Sequence, residues 1–433
     1  MKIKNTLLLL SILLLLLLSV ASCKKNIDEQ IPDVTINSPY ENQQFSVFDT
    51  IQINAKAEDE TTLEKIEVIL TDANRIPIQN IISLFPQQKK VTISVPFILE
   101  DVSMSTGTYY IWIKASDGTN TSNTFRTIII NGVPRELKDI YIFTYGNSAT
   151  IHVIKKTLSG NPQQQFDING DFSGSAISSK NQLLYSAGKI YGNLHAYNVL
   201  DNSESWNVPI VSNPPFPYFT NISCYNDILY CSFYDGMIRG YNKNGTALYT
   251  AITPYSSYPI KVSAGNNYVY VDHAMYSGSA RIFGVYFFVS GILKQQLNTD
   301  YNAVRIFEKD NDNVFIFANK NGQGLIKIFS ISGNGTWEPH TLPSGKINDV
   351  VQIDENAYII AHENGLFKYQ YNNNSLTDYS AIVAKSLKYE ELASEIYACT
   401  THEIKILKYN SNTLVNNIMV ADSIVSFELL YNK

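Results

Sequence analysis

The sequence predicts an all-β chain in two folded parts, a β-sandwich followed by a seven-bladed β-propeller. Three observations predict it. After residue 30 no long segment carries apolar residues at helical spacing, whereas period-two alternation recurs throughout. Tyr (29) and Phe (20) are plentiful, a bias that suits pleated, half-buried surfaces. Beyond residue 138, a polar residue leading into an apolar, aromatic-rich strand returns seven times.

At 433 residues the chain is too long for one ordinary domain. Hydrophobic residues make up 45% and charged residues 17%, so folded segments are expected. The net charge of −6 is spread along the chain and offers no basic face, which argues against a nucleic-acid partner. The four cysteines, Cys23, Cys224, Cys231 and Cys399, are too few for a disulfide scaffold, and no Cys/His spacing resembles a zinc site. Cys224 and Cys231 are expected as buried thiols, the alternative being a pair facing one another across a hairpin.

The N-terminus reads as an export signal over residues 1–22. Lys2 and Lys4 precede an apolar run from Leu7 to Leu18, broken only by Ser11. A spanning helix needs about 20 apolar residues, and this run falls short. Val20-Ala21-Ser22-Cys23 resembles a bacterial lipobox, which implies that Cys23 is acylated and becomes the new N-terminus. The plainer alternative is a secretory signal with a chance cysteine. Residues 23–30 then form a tether, and Lys24-Lys25-Asn26-Ile27-Asp28-Glu29 resembles the stretch behind the lipidated cysteine in Bacteroidetes surface lipoproteins. The resemblance implies an outer-membrane protein held by its lipid at the cell surface, with a periplasm-facing position as the alternative.

Residues 31–131 read as the sandwich. Ile51, Ile53, Ala55 and Ala57 form one inward face, and Ile66, Val68 and Leu70 another. The clearest strand, Tyr109 to Ala115, buries Tyr109, Ile111, Ile113 and Ala115 and ends at Asp117-Gly118-Thr119-Asn120. About seven strands in about 100 residues suit an immunoglobulin-like sandwich, here without its cysteine pair. SPYENQQF and GTYYIWIKASDGTN are similar to the two ends of bacterial Ig-like modules. Residues 132–137 form a short linker.

Residues 138–433 carry the repeats: DIYIF, QLLYS, DILYC, NYVYV, NVFIF, NAYII and EIYAC. Their third residues, Tyr141, Leu184, Leu229, Val269, Phe315, Tyr358 and Tyr397, are 43, 45, 40, 46, 43 and 39 apart. A second apolar strand and a tight turn follow each, as in MIRGYNKNG and LFKYQYNNNS. Repeats of about 40–45 residues holding four short strands are the signature of propeller blades, because a lone blade cannot cover both of its faces. The C-terminal VSFELLYNK is expected to complete the first blade and close the ring. This part resembles the degenerate propellers with YVTN-type and quinoprotein-like repeats; it lacks WD-repeat marks and regular tryptophans, so their fold is implied and their redox chemistry is not.

Chemistry is sparse. His152, His195, His273, His340, His362 and His402 show no metal-ligand spacing and sit in no nucleophile motif. Asp167-Ile168-Asn169-Gly170-Asp171-Phe172-Ser173 alternates oxygen donors like a calcium loop, but Phe172 stands where the loop glycine belongs and Ser178 where the glutamate belongs, so a polar turn is expected. No metal, cofactor or catalytic residue is assigned. Proline- and tyrosine-rich loops around Phe216, Tyr218 and Phe219, and around Tyr255 and Tyr258, are the candidate ligand-binding surfaces; the plainer alternative is that they pack over the propeller's own rim. Asp49-Thr50-Ile51 and Asp422-Ser423-Ile424 also resemble Bacteroidetes O-glycosylation sites.

The sequence therefore predicts a lipid-anchored envelope protein whose propeller binds a protein or glycan partner. A hydrolase or lyase with its site in the central funnel is the alternative, and a structural subunit of an envelope complex a second. The first alternative requires at least two titratable side chains converging on one position in the funnel.

Overall fold

A computed structural model describes residues 30–147, 149–211 and 215–433, so the export signal, Cys23 and the tether up to residue 29 lie outside the described residues. The chain divides into two compact units, one ending at Pro134 and one running from Arg135 to Lys433. Every element among the described residues is a strand or a turn.

The first unit is a two-sheet sandwich of eight strands, one more than expected. Asp33–Ser38, Thr50–Leu63 and Gln88–Ile98 form a three-stranded sheet. Gln43–Ser46, Thr121–Asn131, Gly107–Ser116, Lys65–Thr71 and Ile82–Leu84 form the other, in that order. Alternation sets the core: Ile51, Ile53, Ala55 and Ala57 on one sheet bury against Ile66, Val68, Leu70, Ile111 and Ile113 on the other. The extra strand, Gln43–Ser46, lies parallel to Thr121–Asn131, so the chain crosses from one sheet to the other within its first strands.

Among its described residues the second unit forms seven four-stranded antiparallel sheets, arranged as in a β-propeller. The innermost strands, starting from the second sheet, are Gly174–Ser178, Phe219–Tyr225, Ser257–Ala264, Asn302–Glu308, Ile347–Gln352, Ser386–Glu390 and Ile424–Tyr431. The last belongs to the first sheet: it pairs with Leu137–Asn147, so the two ends of the unit share one sheet. Each innermost strand touches the next, and Ile424–Tyr431 touches both Ser386–Glu390 and Gly174–Ser178, which closes the circle.

All seven repeat motifs occupy the second strand from the centre. That strand is covered on both faces by neighbouring sheets, which is why it reads as an apolar run; in Leu183–Ala187 and Ala357–His362 every residue is buried. Apolar clusters fill the gaps between sheets, for example Tyr185 with Phe219 and Phe233, and Phe315 with Tyr358 and Tyr369.

Short polar side chains latch one sheet to the next. Asn221 Oδ1 accepts from the Val262 amide (3.0 Å), and Asp272 Oδ2 accepts from Ala303 (2.9 Å). Asn319 both accepts from and donates to Ile347 (2.8 Å each), and Asp349 Oδ2 accepts from Leu387 (2.9 Å). Each latch satisfies a backbone group that the innermost strand leaves open on its inner edge.

Candidate functional site

Antiparallel topology sorts the loops of the second unit. The connection from the outer strand of one sheet to the inner strand of the next, and the turn between the second and third strands, lie at the same end of the strands. Both candidate loops belong to that end, as do the turns that follow Ile228–Phe233 and Tyr268–Met275.

There the structure assembles an aromatic ridge across the third and fourth sheets. Phe216 stacks on Tyr234 with ring centres 5.4 Å apart and planes inclined by 16°. Tyr234 in turn meets Tyr258 at 4.5 Å and Tyr276 edge-on at 5.2 Å, and Tyr258 meets Tyr276 at 5.2 Å. The ridge is fixed by its backbone. Tyr276 Oη donates to the Tyr234 carbonyl (2.6 Å), the Tyr234 amide donates to the Tyr218 carbonyl (2.9 Å), and the Tyr276 amide donates to Ser256 (3.1 Å). Phe216 and Tyr276 stay exposed, and Tyr234 and Tyr258 are half-buried. Rings held in this way have little conformational freedom left to lose on contact with another molecule.

The five sequence candidates fare differently. Phe216 and Tyr258 are in the ridge. Tyr218 lies half-buried below it, edge-on to Phe233 at 5.4 Å. Phe219 corrects the sequence reading: it is fully buried against Phe233, its centre 5.4 Å away, because the inner strand begins there and turns its ring into the gap between sheets. Tyr255 is 95% exposed and contacts none of the ridge rings. Sequence reasoning missed Tyr234 and Tyr276. The signal was present: Tyr234-Asp235-Gly236 and Tyr276-Ser277-Gly278 repeat one Tyr-x-Gly turn, with φ of 88° at Gly236 and 84° at Gly278.

The axis holds a cavity of about 680 Å³ lined by the inner strands of all seven sheets. It is charged, so the catalytic alternative is not removed by an apolar funnel. Its two carboxylates are nonetheless engaged. Asp349 accepts from Arg305 Nε (2.6 Å) and Nη2 (3.2 Å) and from the amides of Val350 and Leu387 (2.9 Å each). Burial opposes the Asp349 charge, but Arg305 and the amides outweigh it and hold the carboxyl below its ordinary range. Glu428 accepts from Lys388 (2.6 Å) and from the Ser175 hydroxyl (2.8 Å). Asp349 thus accepts four hydrogen bonds and has no free lone pair for a general base, whereas Glu428 accepts two and is held in an ion pair with Lys388.

Several other residues weighed from sequence are engaged within the fold. His273 is buried with its ring nitrogens against the Ile282 carbonyl (2.8 Å) and Tyr286 Oη (2.9 Å), and burial pushes it down to about 4. Asp171 accepts from four successive backbone amides of a neighbouring loop, Lys189 to Gly192, at 2.8–3.1 Å, and Asp167 meets His152 on the adjacent strand at 2.7 Å, so both carboxylates of the calcium-like stretch are engaged within the fold. Cys224, Cys231 and Cys399 are free thiols, and Cys231 pairs across its hairpin with Ile222 rather than Cys224.

Residues 32–124 match the family described as a bacterial Ig domain. No curated relative matches the sequence. Among solved structures, the chain is similar to BamB from Moraxella catarrhalis (12% identity over 67% of this chain and 92% of that one, TM-score 0.42). It is similar also to Sqt1 from Saccharomyces cerevisiae (10%, 67% and 88%, TM-score 0.46) and to the computationally designed protein Ika8 (14%, 68% and 91%, TM-score 0.45). At such identities and scores these likenesses say nothing of activity or partner.

Proposed function

We propose that this is a lipid-anchored cell-envelope protein of the Bacteroidetes surface type, whose seven-bladed propeller is a binding module. The observation that carries the reading is the ridge of Phe216, Tyr234, Tyr258 and Tyr276, four aromatic rings packed together across two sheets. Aromatic faces of this kind stack on the apolar faces of sugar rings or on the side chains of a protein partner. The Ig-like unit and the propeller are both architectures that present surfaces, and the anchor at Cys23 would hold them at the membrane. An outer-membrane position facing outward follows from the lysine-and-acid tether.

Two experiments test the reading. Probing immobilised envelope polysaccharides and purified envelope proteins with the soluble chain should return a partner, and binding should fall on replacing Phe216, Tyr234 and Tyr276 by alanine. Acyl labelling of wild type and Cys23→Ala should mark only the wild type; equal label in both would remove the anchor.

A further inference from the structure

The axial cavity has a charge that its surroundings do not explain. Its lining includes four cationic side chains, Lys261, Arg305, Lys385 and Lys388, against two carboxylates, Asp349 and Glu428, in a chain whose net charge is −6. Both carboxylates are already occupied, Asp349 by Arg305 and two amides and Glu428 by Lys388 and Ser175. The surplus positive charge therefore faces the cavity with neither lining carboxylate left unpaired to answer it.

Lys261 is the focus. It stands on the innermost strand Ser257–Ala264, lines both this cavity and an adjoining one of about 500 Å³, and makes no ion pair among the described residues. The charged groups near it are Arg305, Asp349 and Asp272. Burial, and then the Arg305 guanidinium, push its ammonium down to about 8, the response of a cation short of negative charge. Desolvated ammonium groups need a counter-ion or lose their proton, so a site of this kind is completed by an anion from solution.

We propose that the axial cavity binds a small multivalent oxyanion, a polycarboxylate or a phosphate, with Lys261 as its counter-ion and the outer N–H groups of Arg305 and Lys388 beside it. The cavity volume admits a molecule of several non-hydrogen atoms. This inference does not depend on the aromatic ridge, and either can fail without the other.

Calorimetric titration of the full chain with citrate and with inorganic phosphate, at low ionic strength and about pH 7, tests it. A single site is expected, weakened at least about tenfold in Lys261→Met and unchanged in the surface control Lys243→Met. Wild-type affinity should also fall between about pH 7 and about pH 9, as Lys261 loses its proton, and the variant should show no such fall. Should Lys261→Met fail to fold, that wild-type pH profile and Lys261→Gln carry the test. Tighter citrate binding assigns a carboxylate ligand, and tighter phosphate binding a phosphate. No binding of either probe, or equal binding by wild type and Lys261→Met, overturns the proposal.

Discussion

The Tyr431 amide donates to Ser179 Oγ at 3.0 Å, and the Tyr431 carbonyl accepts from Gln182 Nε2 at 2.8 Å. The last strand of the chain is thereby pinned to the second sheet as well as to its own. Phe427, on the same strand, is buried between the seventh sheet and the first. Phe427→Ala should cost about 4 kcal/mol, the loss of a fully buried ring plus the cavity it leaves. Urea unfolding followed by the fluorescence of Trp206 and Trp337, both in the second unit, is the measurement.

Asp349 joins three consecutive inner strands, through Arg305 on one side and Leu387 on the other. Asp349→Ala should destabilise the second unit by about 3 kcal/mol, since it strands a guanidinium and a buried amide together. Arg305→Met should cost less, because Arg305 is 39% open to the channel and its loss leaves Asp349 two amide donors. The same urea experiment ranks the two.

Stability should depend on pH through two adjacent residues of opposite sign. Burial raises Asp272 to about 7, so the stability its neutral form retains is present below about pH 4 and is lost as pH rises towards 7. Burial lowers His273 to about 4, so its contribution is present above about pH 6.5 and is lost as pH falls towards 4. Asp272→Asn keeps an acceptor for the Ala303 amide and removes only the first effect. Its advantage over wild type should grow with pH between about 4 and 7, by about 1 kcal/mol per pH unit.

Gly245 sits at φ 76° in the turn after Met237–Tyr241, and a Cβ there would lie 2.9 Å from the Trp206 ring of the preceding sheet. Trp206 Nε1 donates to the Lys243 carbonyl in that turn (3.0 Å). Gly245→Ala should cost about 2 kcal/mol from backbone strain and indole displacement. A red shift in native-state fluorescence should accompany the loss.

Much of the architecture was legible because propeller geometry writes itself unevenly into sequence. The second strand of each sheet, from Tyr141 to Tyr397, is covered on both faces and reads as an apolar run. Of the innermost strands only the last was read, as VSFELLYNK; the others carry Lys261, Arg305, Asp349 and Lys388 towards the axis, which breaks the apolar pattern. Phe219 was misread for a related reason, since one residue of register separates a loop aromatic from a core one. The ridge was half legible, through loop composition at Phe216 and Tyr258. The other half, Tyr234 and Tyr276, showed only as a Tyr-x-Gly turn in two successive repeats.

The ridge is proposed as the face through which the protein engages its partner. The most direct measurement is the dissociation constant of a partner recovered from the polysaccharide and envelope-protein panels. It should be compared among wild type, the Phe216→Ala/Tyr234→Ala/Tyr276→Ala variant and the control Tyr40→Ala, an exposed aromatic of the first unit. Binding weakened by at least about a hundredfold in the ridge variant, with the control unchanged and the ridge variant still unfolding cooperatively in urea, is the predicted result. Equal affinity in all three proteins would contradict it.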